Sequence, residues 1–143
     1  MRRFNPLAPA LVLALFPSMA PAQTINGIDW QLLAIDGTAT DTHATLRIEA
    51  DGIITGDAPC NRWSTVNSAT PPALQMRGIR ATRMACDKLA DERVFFEALS
   101  GMTALRPDGD SNLVLTGPDG RSMEFVRDIM SNPTTCKTCK ADD

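Results

Sequence analysis

The 143-residue chain holds a single histidine, His43, which leaves little room for imidazole chemistry. A Ser-His-Asp hydrolase would need His43 beside an activated serine such as Ser64, with a carboxylate such as Asp41 behind it. No serine is framed by nucleophile-elbow glycines. His43 sits between Thr42 and Ala44 in a loop-like stretch, and reads as a solvent-facing loop residue. No glycine-rich phosphate loop and no internal repeat is present. Basic residues are not in excess. Lys and Arg total 14 against 17 Asp and Glu, a formal charge of −3, and nucleic-acid binding favours a basic face. Beyond the first 22 residues no run is long or apolar enough to span a bilayer. Cysteines number four, Cys60, Cys86, Cys136 and Cys139. Structural zinc uses two closely spaced ligand pairs, and only Cys136 and Cys139 form one. No metal, cofactor or catalytic set is therefore expected.

What is present begins with an export signal. Arg2 and Arg3 precede an apolar run from Leu7 to Met19 that Pro9 and Pro17 interrupt. Ala20-Pro21-Ala22 then supplies a small-x-small cleavage site, the pattern of a secretory signal peptide over residues 1–22. The first cysteine is Cys60, so no lipid-anchoring cysteine follows the cleavage point. Cleavage after Ala22 removes Arg2 and Arg3 but no acid, taking the length to 121 and the charge to −5. That length suits one domain. The expected product is a soluble periplasmic or secreted monomer, without a membrane span or lipid anchor.

Four cysteines in an exported chain of this size point to disulfides, and four allow three pairings. Cys60 and Cys86 flank the centre of the domain, whereas Cys136 and Cys139 sit together in the tail. This favours Cys60 with Cys86 and Cys136 with Cys139. The first bridge would contribute roughly 3–4 kcal/mol in the chain-entropy model. The alternative is a pair of buried or half-buried thiols. Cys136-Lys137-Thr138-Cys139 has a redox spacing, but it follows Pro133-Thr134-Thr135 in a polar stretch and not a helix N-terminus. Residues 129–143 read as a flexible tail.

Between leader and tail, over residues 23–128, the periodicity is mostly that of strands. Trp30 to Ile35 forms the first, with Trp30 as a core or rim anchor. Thr38 to Thr42 is loop-like. Thr45 to Glu49 alternates polar with apolar, Asp51-Gly52 makes a hairpin turn, and Ile53 to Thr55 returns. Arg62 to Val66 can form a further strand, with Trp63 large enough to plug one end of a small barrel. Ala73 to Arg77 alternates again. From Asp87 to Ser100 the period becomes helical, with Leu89, Phe96, Leu99 and Met102 on one wide face beside Val94 or Phe95. Asp87 suits the N-cap or the first turn, and Gly101 the stop. Lys88 with Glu92 and Arg93 with Glu97 stand at i,i+4 spacing. Thr103 to Arg106, Asn112 to Thr116 and Ser122 to Val126 then form strands joined by Pro107-Asp108-Gly109-Asp110 and Gly117-Pro118-Asp119-Gly120. Strands, one helix, then strands define an α+β fold. Arg62, Arg80 and Arg83 lie near the centre and could bind an anion, although charged rims are ordinary on small barrels.

Several of these pieces together resemble the META domain family, whose bacterial branch includes HslJ-like heat-shock proteins. The most specific are Thr82-Arg83-Met84-Ala85-Cys86, followed by Glu92, Phe95, Ala98 and Leu99. Cys60-Asn61-Arg62-Trp63-Ser64 is similar to the family's Cys-Asn-x-aromatic-Ser segment. Trp30-x-Leu32 and the Leu113-x-Leu115 to Phe125 hairpin also fit. The family usually has glycine where Pro59 and Thr65 stand, and an aromatic near Asn67. The resemblance implies a small curved antiparallel sheet or cracked β-barrel with one packed helix. It also implies an envelope protein linked to heat or antibiotic stress without known catalysis.

The expectation is a non-enzymatic exported domain that binds an envelope protein or a small ligand, and not nucleic acid. Asn61, Trp63, Thr82 and Arg83 are the expected structural centre beside the Cys60 and Cys86 bridge, with Asn61 and Arg83 its polar organisers. Two alternatives are a periplasmic thiol- or metal-handling protein using Cys136 and Cys139, and a secreted hydrolase-inhibitor module.

Overall fold

The computed structural model describes residues 24–127. The expected leader and the tail with Cys136 and Cys139 lie outside the described residues.

Among the described residues nine strands and one α-helix make the fold: β1 Asp29–Ile35, β2 Thr38–Ala39, β3 Thr45–Ile48, β4 Ile53–Asp57, β5 Arg62–Val66, β6 Arg80–Ala81, α1 Leu89–Ser100, β7 Ala104–Asp108, β8 Asn112–Thr116 and β9 Ser122–Val126. They build one antiparallel sheet in the order β6-β5-β4-β3-β1-β9-β8-β7, with the short β2 against β1. The first strand in sequence is thus central. It joins a meander of β3 to β6 on one side to a meander of β7 to β9 on the other. A register shift between Leu32 and Ala34 marks a bulge in β1 against β9, the kind of irregularity that bends a strand.

Period-2 alternation explains the core. Trp30 and Leu32, Leu46 and Ile48, Leu113 and Leu115, and Met123 and Phe125 all turn to one face and are buried. Helix α1 lays Phe95, Ala98 and Leu99 into the same cluster, and Gly101 ends it. The chain from β6 through α1 to β7 carries it from one edge of the sheet to the other. The sheet is open and not a closed barrel. Residues 67–77 span part of the gap between its ends. Arg77 N–H donates to Val66 O at 3.0 Å, while Leu74 N–H donates to Thr103 O and Leu105 N–H to Pro72 O, both at 2.8 Å.

Several local expectations are corrected. Ala73 to Arg77 is not a strand. Asn67 Oδ1 accepts from Ala69 and Gln75 N–H at 3.1 and 2.8 Å, and its Nδ2 donates to Ala73 O at 3.2 Å. One side chain therefore takes backbone groups that a ladder would have used. Residues Thr38 and Ala39, read as loop, pair with Ile35 and Ala34. In α1 the N-cap is Lys88, without a side-chain cap, and not Asp87. Lys88 Nζ lies 3.8 Å from Asp91, and not beside Glu92. Arg93 and Glu97 form no ion pair among the described residues. Leu89 and Val94 are 42% and 56% exposed, so the buried stripe is Glu92, Phe95, Ala98 and Leu99.

Candidate functional site

Two features meet at the β4–β6 end of the sheet: a closed polar clasp and an open groove. The clasp starts from the turn after β4, where Ala58 N–H donates to Asn61 O at 2.7 Å and sets Asn61 inward. Asn61 is buried, and its amide can serve three segments at once. Its Oδ1 accepts from Met84 N–H at 2.7 Å and from Thr82 Oγ1–H at 2.8 Å. Its Nδ2 donates to Glu92 Oε1 at 2.7 Å and to Met84 O at 3.3 Å. Glu92 Oε2 takes the Cys60 N–H at 2.9 Å. This carboxylate is 7% exposed and lies in the first turn of α1, where the helix dipole favours negative charge.

The Cys60–Cys86 disulfide closes the same junction covalently across a sequence separation of 26. Beneath it Trp63 packs on Phe95 and Phe96, with ring centroids 5.9 and 6.5 Å away. Trp63 faces Gly56 across the β4–β5 ladder. A Cβ on Gly56 would run into the Thr45 carbonyl and lie 2.8 Å from Trp63 Nε1, so only glycine allows this approach. Trp63 Nε1 is buried without a hydrogen-bond partner among the described residues.

The groove, of about 570 Å³, lies on the outward face of β1 and β3 to β6. Register places its side chains in rows. Asp29 pairs with Arg47, Arg47 with Thr55, Thr55 with Ser64 and Ser64 with Arg80, so five strands contribute one residue each. Beside this row Asp57 pairs with Arg62, and Thr82 Oγ1 accepts from Arg62 N–H at 3.2 Å. Arg47 is held by Glu49 and Asp29 at 2.8 and 3.1 Å, and these two carboxylates raise its pKa, the hydrogen bond to Glu49 being the largest single cause. Arg62 is 3.7 Å from Asp57 with its side chain 87% exposed. The Arg80 side chain, and the hydroxyls of Thr55 and Ser64, have no partner among the described residues.

Set against the sequence, the structure brings Cys60, Asn61, Trp63, Thr82 and Cys86 to one junction. Arg83 is exposed and makes no ion pair among the described residues, so it does not organise that centre. Glu92 instead fills the polar role expected of Arg83, and the sequence carried one signal for it, an acid at i−3 from the buried Phe95. His43 is exposed and lines a separate depression of about 80 Å³ with Asp41 and Thr42, whereas Ser64 lies in the groove. Among the described residues no cluster of three or more His, Cys, Asp or Glu could hold a metal ion. No helix among them is long and apolar enough to cross a membrane.

An open antiparallel sheet with one helix on its buried face, latched by a disulfide, defines a small α+β domain. The chain belongs to the META domain family, whose model matches residues 23–129. Its fold is similar to that of a protein from Burkholderia xenovorans solved by NMR. That likeness has a TM-score of 0.56 and 20% identity over 85% of this chain and 99% of that one. A second protein solved by NMR gives a TM-score of 0.56 at 16% identity, covering 76% of this chain and 95% of that one. Among curated proteins, none matches this chain.

Proposed function

We propose that this chain is an exported, non-enzymatic binding domain that supports the cell envelope under heat or antibiotic stress. It does so by holding a protein segment or small ligand on the outward face of β3 to β6. One observation carries this reading: the Arg80 side chain and the Thr55 and Ser64 hydroxyls on that face have no partner among the described residues, while the adjoining clasp is taken up in holding the fold together. A groove of this volume is within the range of small-ligand sites, about 300–1,000 Å³. The stress context is what the resemblance to HslJ-like proteins implies, and the leader-like residues 1–22 favour an exported compartment.

The test is a strain lacking the protein, challenged by heat and by envelope-active antibiotics. It is rescued with the full chain or with a chain starting at Gln23. Rescue by the full chain alone supports an exported role. A null strain that survives like its parent under every challenge overturns the stress role, and rescue by the leaderless form overturns export.

A further inference from the structure

We infer that the groove is a binding site for a small oxyanion-bearing ligand, a carboxylate or a phosphate, received by Arg62 and Arg80 over the hydroxyls of Thr55 and Ser64. This rests on the binding role just proposed and names its ligand chemistry. Three observations converge on it. The first is the row itself. Strands stand about 4.8 Å apart, so Arg47 and Arg80 are roughly 14 Å apart at the backbone with Thr55 and Ser64 between them. Arg62 stands two residues from Ser64 on the same face of β5. A ligand lying across the strands meets hydroxyls in the middle and a guanidinium on either flank.

The second is the state of the three arginines. Arg47 is committed to Asp29 and Glu49 and braces the far end. Arg62 has only a long contact to Asp57, and Arg80 has none among the described residues. A guanidinium offers a planar fork of donors that matches carboxylate or phosphate oxygens, so these two are free to close on an anion.

The third is the make-up of the lining, because Trp63 turns inward onto Phe95 and Phe96, away from the hydroxyl row. The lining includes no aromatic other than the buried Trp63. An exposed ring on which a neutral sugar would stack is therefore missing from this face, and the chemistry favours an anion.

The test is an NMR titration of the oxidised domain with inorganic phosphate and, separately, with succinate at constant ionic strength. Glucose serves as the neutral control. Saturable shifts of the Thr55, Ser64 and Arg80 amides are expected with at least one anion. Whichever anion binds more tightly names the phosphoryl or carboxyl source. Arg62→Gln with Arg80→Gln should weaken binding about tenfold or more, with unchanged melting because both side chains are exposed. No saturable shift with either anion, equal binding by the double variant, or shifts scattered over Arg77, Arg106 and Arg121 would overturn the assignment. Glucose moving the same resonances would overturn the anion chemistry and leave the binding face standing.

Discussion

Replacing Glu92 tests whether the clasp holds the helix to the sheet. Its buried carboxylate accepts from Cys60 N–H at 2.9 Å and Asn61 Nδ2–H at 2.7 Å. Hydrogen bonds to a charged acceptor contribute about 1.5–3 kcal/mol each, and donors stranded in the interior cost a similar amount. Glu92→Ala removes both bonds at once, and the first-turn interaction with the helix dipole goes with them. The expected loss is about 3–5 kcal/mol, a large share of the ~5–15 kcal/mol that holds a domain. Glu92→Gln keeps the volume but must turn an NH₂ towards one of the two donors, so its loss should be about half as large. Urea unfolding under oxidising conditions, followed by tryptophan fluorescence, reads both variants. A double-mutant cycle with Asn61→Ala should give a coupling of about 1–3 kcal/mol. A Glu92→Ala loss below about 1 kcal/mol, or a coupling near zero, would show that the clasp is not what fastens α1.

Other consequences follow from the same geometry. Cys60→Ser should lower stability by roughly 3–4 kcal/mol in oxidising conditions and leave little further effect of reductant, whereas wild type should melt lower when reduced. Identical wild-type melting with and without reductant would refute a stabilising bridge. Gly56→Ala should cost at least about 1–3 kcal/mol because its methyl meets the Thr45 carbonyl, and a wild-type melting temperature would contradict that packing. Asp36 accepts the Ser122 N–H at 3.0 Å and pairs with Arg121 at 3.0 Å, and these hold its carboxyl below the usual range, the backbone bond contributing most. Its contribution is therefore fully present above about pH 3.9 and lost as pH falls through the lower folded value. Asp36→Asn should flatten the acid limb of a stability–pH curve, and an unchanged limb would dismiss the effect.

The strands were readable because alternation leaves a plain mark. Arg62 to Val66, Asn112 to Thr116 and Ser122 to Val126 are strands at the limits their periodicity gives. The Cys60–Cys86 bridge was readable from where those residues sit. Several misreadings trace to a side chain that takes groups outside its own element. Ala73 to Arg77 alternates like a strand, but Asn67 captures its backbone. Glu92 looks like a solvated helix acid beside Lys88, yet its partners are 31 and 32 residues away. Arg83 sits in the most distinctive motif but is exposed, and the backbone of its neighbour Met84 makes the contact with Asn61. The groove was illegible as well. Asp29, Arg47, Thr55, Ser64 and Arg80 become one row only when register is set across five strands.

The most direct test of a binding role for this face is to fill it. Ser64→Trp places a large ring in the middle of the row, at a half-buried outward position on β5 where an aromatic suits a strand. Cells lacking the protein would carry wild type or this variant at equal levels of folded, oxidised chain, with survival of heat and antibiotic challenge as the readout. A binding face on β3 to β6 predicts that wild type restores survival and the filled groove does not. Equal restoration by both would contradict it.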